Sequence, residues 1–170
     1  MKIQSNTITA IVPLALLFLF PCASSRAQSV RLPVETLAVQ AEIVAVGRVS
    51  SLVSGWNGDH SRILTNVTLD VDQYVKGGTP GRPLTLVVPG GEIDGVGEMY
   101  SHMATFQQGE SVLVFAEKDT HGAYRVASGQ QGKFTIRKDE STGALTIGGN
   151  MSLEGMTALV KKANSDLNQK

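Results

Sequence analysis

The sequence predicts a mainly β domain: an antiparallel barrel with a short helix before it and an amphipathic helix after it. Three observations lead there. Runs rich in β-branched residues recur between clusters of Gly, Pro, Asn and Asp, which is how strands and turns read in a single chain. One of these runs alternates apolar and polar side chains over its whole length, the mark of a half-buried antiparallel strand. Helical spacing is clear only at the two ends of the domain.

The elements follow in order. Lys2 precedes an apolar run from Ile8 to Phe20, then small and polar residues, the pattern of a secretory signal. Thirteen residues interrupted by Pro13 fall short of the about 20 needed to cross a bilayer as a helix, so no permanent membrane span is expected. Ser25-Arg26-Ala27 sets small residues three and one positions before a cut between Ala27 and Gln28. Residues 1–27 are therefore expected to leave as a signal peptide, and 28–170 to form one barrel domain, secreted or periplasmic in a bacterium. The lone cysteine, Cys22, leaves too; as a lipid acceptor it would want a small residue where Pro21 stands. The remaining 143 residues carry 13 basic against 15 acidic side chains, since Lys2 and Arg26 are lost, a formal charge of minus 2. A chain of this size buries enough surface to fold without disulfides.

Val34 to Glu42 lacks Gly and Pro and spaces Leu37, Ala38 and Ala41 as a short helix would. Ile43 to Val53 reads as a strand, Ser54 to His60 as a turn holding Asn57-Gly58, and Arg62 to Val75 as the returning strand of a long hairpin. In that strand Ile63, Thr65, Val67, Leu69, Val71 and Gln73, a largely apolar face, alternate with Leu64, Asn66, Thr68, Asp70, Asp72 and Tyr74, a largely polar one. Lys76 to Pro83 breaks the pattern, and Leu84 to Val88 is a third strand. Gly90 to Gly109 keeps neither period, and at about 20 residues it exceeds the usual connection, so it reads as a functional or mobile loop. Strands resume at Ser111 to Ala116, Ala123 to Ala127, Lys133 to Arg137 and Ala144 to Ile147. The last two could form a terminal hairpin outside the barrel. Ser152 to Leu167 closes the chain as a helix, capped by Ser152, with Leu153, Met156, Leu159, Val160 and Ala163 on one face.

With this order of elements, the runs AEIVAVGRV (41–49), TLDVDQYVKG (68–77) and FQQGESVLVF (106–115) resemble the netrin-like OB barrel, whose best-known members are the tissue inhibitors of metalloproteinases. The segments PGGEIDGVG, FQQGESVLVF and QGKFTI also resemble an uncharacterised group of exported bacterial proteins. The resemblance implies an OB-like fold over most of residues 35 to 165. It does not carry over the inhibitors' chemistry, which places an N-terminal cysteine on a protease zinc. A chain beginning at Gln28 has no cysteine, so inhibition here would need a different edge.

Catalytic signatures are missing: there is no G-x-S-x-G, no H-E-x-x-H and no G-x-x-x-x-G-K-[ST]. The imidazoles His60, His102 and His121 all fall in expected turns or loops. Ser101 beside His102 is no dyad, because neighbours on extended chain point apart. Glu92, Asp94, Glu98 and His102 offer oxygen and nitrogen ligands, but their spacing fits no calcium loop and exposed acids among glycines are usually just solvated. No catalytic residue, metal or cofactor is therefore expected.

Binding is the better expectation. Trp56, Asn57, Asp59 and His60 in the first turn, with Glu92, Asp94, Glu98, Tyr100 and His102 in the long loop, are the candidates, because OB barrels bind through loops at one end. Nucleic acid is excluded by the acidic Asp70 and Asp72 on the second strand, where a basic, aromatic face would be needed. The expected function is a non-enzymatic module for an unknown protein partner in the envelope or outside the cell. Its alternatives are a protease-inhibitor-like protein and a small metal-dependent or Ser/His hydrolase built on the 90–109 loop.

Overall fold

A computed structural model describes residues 31–149 and 151–167; the expected signal peptide lies outside the described residues. The chain runs α1 (Val34–Gln40), β1 (Ile43–Trp56), β2 (Ile63–Lys76), β3 (Leu84–Pro89), β4 (Gly91–Ile93), β5 (Val96–Glu98), β6 (Ser111–Lys118), β7 (Tyr124–Val126), a 3-10 turn (Gly129–Gly132), β8 (Lys133–Lys138), β9 (Leu145–Ile147), β10 (Met151–Ser152) and α2 (Leu153–Leu167). It is mainly β, with every strand pair antiparallel.

The principal sheet has the order β10-β9-β8-β6-β1-β2-β3, and β7 takes the stretch of β6 beyond β8. The expected third and fourth late strands thus belong to this sheet rather than standing apart from it. Among the described residues no ladder joins β3 to the other end. Instead the sheet curls until Cα atoms of β3 come within 8 Å of those of β7 without hydrogen-bonded pairing.

Curling gives the sheet two dry faces. On the inner face Ile43, Ala45 and Val49 of β1 meet Val67 and Leu69 of β2, Leu84, Leu86 and Val88 of β3, and Val112 and Val114 of β6. On the outer face Val44, Val46, Leu113 and Phe115 are covered by Leu37 and Ala38 of α1 and by Met156 and Val160 of α2. Consecutive residues of β1 and β6 are therefore buried on opposite sides, which is why both read as unbroken apolar runs. No polar or charged side chain is fully buried in either layer, among the described residues. Ser152 caps α2 as expected, its Oγ accepting from the Gly155 amide at 3.0 Å.

Three details depart from the expected elements. Trp56, expected in the turn, is the last residue of β1, paired with Ile63. The turn is shorter, and Asn57 braces both of its sides: its amide donates to the Arg62 carbonyl at 3.0 Å, and its Oδ1 accepts from the Ser61 and Arg62 amides. Tyr74, expected on the polar face of β2, packs against the inner core. The register slips between Val46 and Gly47 of β1, leaving Asp72 as an extra residue on β2, and a bulge reverses the alternation beyond it. Finally, the 90–109 segment holds the hairpin β4–β5. Asp94 and Gly95 have φ of 50° and 79°, the pair of positive angles that a two-residue type I′ turn demands.

Candidate functional site

Two carboxylates govern the long loop, one near each end. Glu110 ends the FQQGE turn and is held almost out of solvent. Lys133 Nζ lies 2.7 Å from Glu110 Oε1, the two side chains being only 12% and 14% exposed. Thr135 Oγ1 donates to the same oxygen at 2.6 Å and the Gln107 amide to Oε2 at 3.2 Å. Burial pushes the Glu110 carboxyl up, but these bonds outweigh it and hold it below its ordinary range. Lys133 also donates to the Thr105 carbonyl and sits over the Phe106 ring at 4.9 Å. This end of the loop is riveted to β8.

Glu98 ties the other end. Its Oε2 accepts from the Ile63 amide at 2.9 Å and from the Tyr100 hydroxyl at 3.0 Å, joining the β4–β5 hairpin to the start of β2. The bond from Tyr100 to Glu98 raises the phenol's pKa above its usual value. The chain reaches this position through Gly90 and Gly91, with φ of +97° and +141°. A Cβ on Gly91 would run into the Ser54 and Thr65 hydroxyls, and one on Gly90 into the Glu98 carbonyl, so only glycine lets the hairpin fold back this closely.

Between these ties lies a pocket of about 240 Å3. Leu52, Val67, Val88 and Phe106 form its walls, and Tyr100 and Met103 its edge. Thr65 donates to the Gly90 carbonyl at 2.6 Å, so Ser54, 2.9 Å away, is the donor between the two hydroxyls. Around the opening large apolar side chains remain in solvent: Met99 is 89% exposed and Met103 40%. A wider groove of about 820 Å3 follows the seam of β3 and β7, with Val87, His102, Arg125 and Ser128 in its walls and Met103 shared with the smaller pocket.

The sequence candidates divide accordingly. Glu98 and Tyr100 line the smaller pocket. Trp56 stacks on His60, rings 6.3 Å apart and 20° from parallel. Asn57 and Asp59 serve the turn: Asp59 Oδ1 accepts from the Ser61 hydroxyl at 2.7 Å, and that bond leads in holding its carboxyl low. Glu92 and Asp94 are exposed on the β4–β5 hairpin. His102, in a left-handed conformation with φ of 66°, lines the wider groove, and its carbonyl accepts from the Gln130 amide. Glu92, Asp94, Glu98 and His102 do not converge: among the described residues no three His, Cys, Asp or Glu side chains form a metal-holding group. His121 meets the adjoining Thr120 hydroxyl at 3.3 Å in an exposed turn.

The residues that sequence reasoning passed over are Leu52, Met99, Met103 and Phe106. Leu52 lies within the expected first strand; the signal of the other three was local and small: apolar side chains in MYSHMATF, a stretch with no strand or helix period to account for them. No family model matches the chain, and no curated protein matches it at a significant level.

Proposed function

We propose that this chain is an exported, non-enzymatic binding module with an OB-like, netrin-like architecture, taking a protein partner through the loops at one end of its curled sheet. The observation that carries this reading is the apolar pocket with Met99 and Met103 standing uncovered at its opening. Exposed methionines cost solvation unless something covers them, and thioethers adapt to a protein surface. The OB-like reading rests on the approach of β3 to β7, the seam at which such a barrel closes.

Two measurements test it. In cells exporting the full chain, a photo-cross-linking amino acid at position 99 is expected to trap a protein that the same group at Ala158, exposed on α2, does not. Equal or absent adducts at both positions would refute a loop-built site. N-terminal sequencing of the exported form is expected to begin at Gln28; a chain retained at full length would refute export by a cleaved signal.

A further inference from the structure

The pocket's chemistry restricts what can enter it. Its volume of about 240 Å3 lies below the range of about 300–1,000 Å3 usual for cofactor and drug-sized sites, yet it suits one bulky side chain. Both hydroxyl hydrogens at its polar end are committed, Thr65 to the Gly90 carbonyl and Ser54 to Thr65. The Ser54–Thr65 pair therefore offers an anion no hydroxyl donor.

Acceptors, by contrast, are in surplus. Both bonds to Glu98 end on Oε2, and Oε1 has no partner among the described residues. Over residues 56–62 and 90–100, Asp59, Glu92, Asp94 and Glu98 stand against one guanidinium, Arg62. The β4–β5 ribbon has only two strands, so β5 keeps an unpaired backbone edge beside Glu98, and such an edge accepts extended chain.

From these features we infer that the site takes an extended segment of a protein partner, one large apolar side chain entering the pocket and an adjacent Lys or Arg pairing with Glu98. This rests on reading the loop end as a protein-binding surface and specifies that partner. The apolar residue supplies affinity by leaving water, and the basic neighbour supplies selectivity, since a carboxylate bond to a cation is stronger than a neutral one. Met99 and Met103 fold over the inserted side chain.

The test is selection of random linear displayed peptides on the protein beginning at Gln28, followed by titration of labelled winners. Winners are expected to share a Leu, Ile, Met, Phe or Trp beside a Lys or Arg. Met103→Glu is expected to weaken them about tenfold or more, as a central anchor contact does, with an unchanged unfolding midpoint because Met103 is half-exposed. Met99→Glu, at a still more exposed position, repeats the test should Met103→Glu disturb folding. Glu98→Gln keeps the acceptor for Ile63 and Tyr100 but removes the charge, and a loss of about fivefold is expected, close to 1 kcal/mol. Winners without a basic residue, no winners, or binding indifferent to Met99→Glu and Met103→Glu would each overturn the inference. So would sedimentation showing a second copy seated on the patch. If the cross-linker at position 99 still traps a protein in any of these cases, the loop surface stands and only its proposed specificity falls.

Discussion

The two faces of the sheet are built from the same strands and end very differently. The outer face is sealed: α1 and α2 lie across it, Phe115 is wholly buried and meets Phe134 edge-on at 5.9 Å. The inner face is sealed by curvature over most of its extent, but at the 90–109 end a loop replaces a helix and leaves a pocket with exposed methionines. A helix brings a continuous apolar stripe. A loop brings single side chains at irregular intervals, and its backbone must be satisfied bond by bond. Both faces are therefore well packed, and the break in that packing lies at the loop end of the inner one.

The contrast is broken most directly at Phe115. Phe115→Ala is expected to cost about 3–5 kcal/mol, whereas Met103→Ala should stay within about 1 kcal/mol at its half-exposed site. Equal losses in urea unfolding would mean that the loop end is packed as tightly as the helical face.

A smaller effect is expected at the rivet between loop and sheet. Lys133→Met leaves Glu110 without its cation and should cost about 2 kcal/mol, below the range of about 3–5 kcal/mol for a fully buried pair. The sign of its pH dependence follows from the carboxyl. Glu110 is depressed in the folded state below its ordinary value of 4.5, so its contribution is complete above that value and is lost as pH falls through the folded pKa. Wild type should thus lose stability on acidification below about pH 4.5, and Glu110→Gln should flatten that part of the curve. An unchanged curve would show that the pair contributes nothing to folding.

Gly91→Ala should cost about 1–2 kcal/mol through its positive φ and its contact with Ser54 and Thr65. It should also weaken partner binding by displacing the hairpin. Wild-type stability and binding in this variant would show that the hairpin can fold back without glycine.

The smallest effect belongs to the exposed β8–β9 turn. Asp139 is held at about 2, chiefly by the Ser141 hydroxyl and then by the Thr142 amide and hydroxyl. Its turn should keep these bonds down to about that pH, and a carboxyl titration by NMR with a midpoint near 3.8 would show the turn to be open in solution.

Much of the architecture was legible from short patterns. The buried faces of Ile63, Val67 and Leu69 followed from alternation in β2, and the seat of α2 from Met156 and Val160 one turn apart. Asp94-Gly95 between Ile93 and Val96 also spelled a hairpin, but with strands of only three residues the alternation was too brief to stand out from the glycines around it. The reversal at Tyr74 had no local signal, because a bulge is chosen by the register of the partner strand.

By itself, then, the sequence determined the order of the two helices and the longer strands, most of their ends, the cap of α2 and the apolar stripes that these elements must bury. These depend on neighbours within a turn or two, where periodicity and backbone angles are set. Only the tertiary structure decided which candidates work together. Glu98 reaches the Ile63 amide 35 positions away, Lys133 reaches Glu110 across 23, and Leu52, Val67, Val88 and Phe106 meet around one pocket. Such meetings depend on sheet curvature and strand register, which are set by all the strands at once.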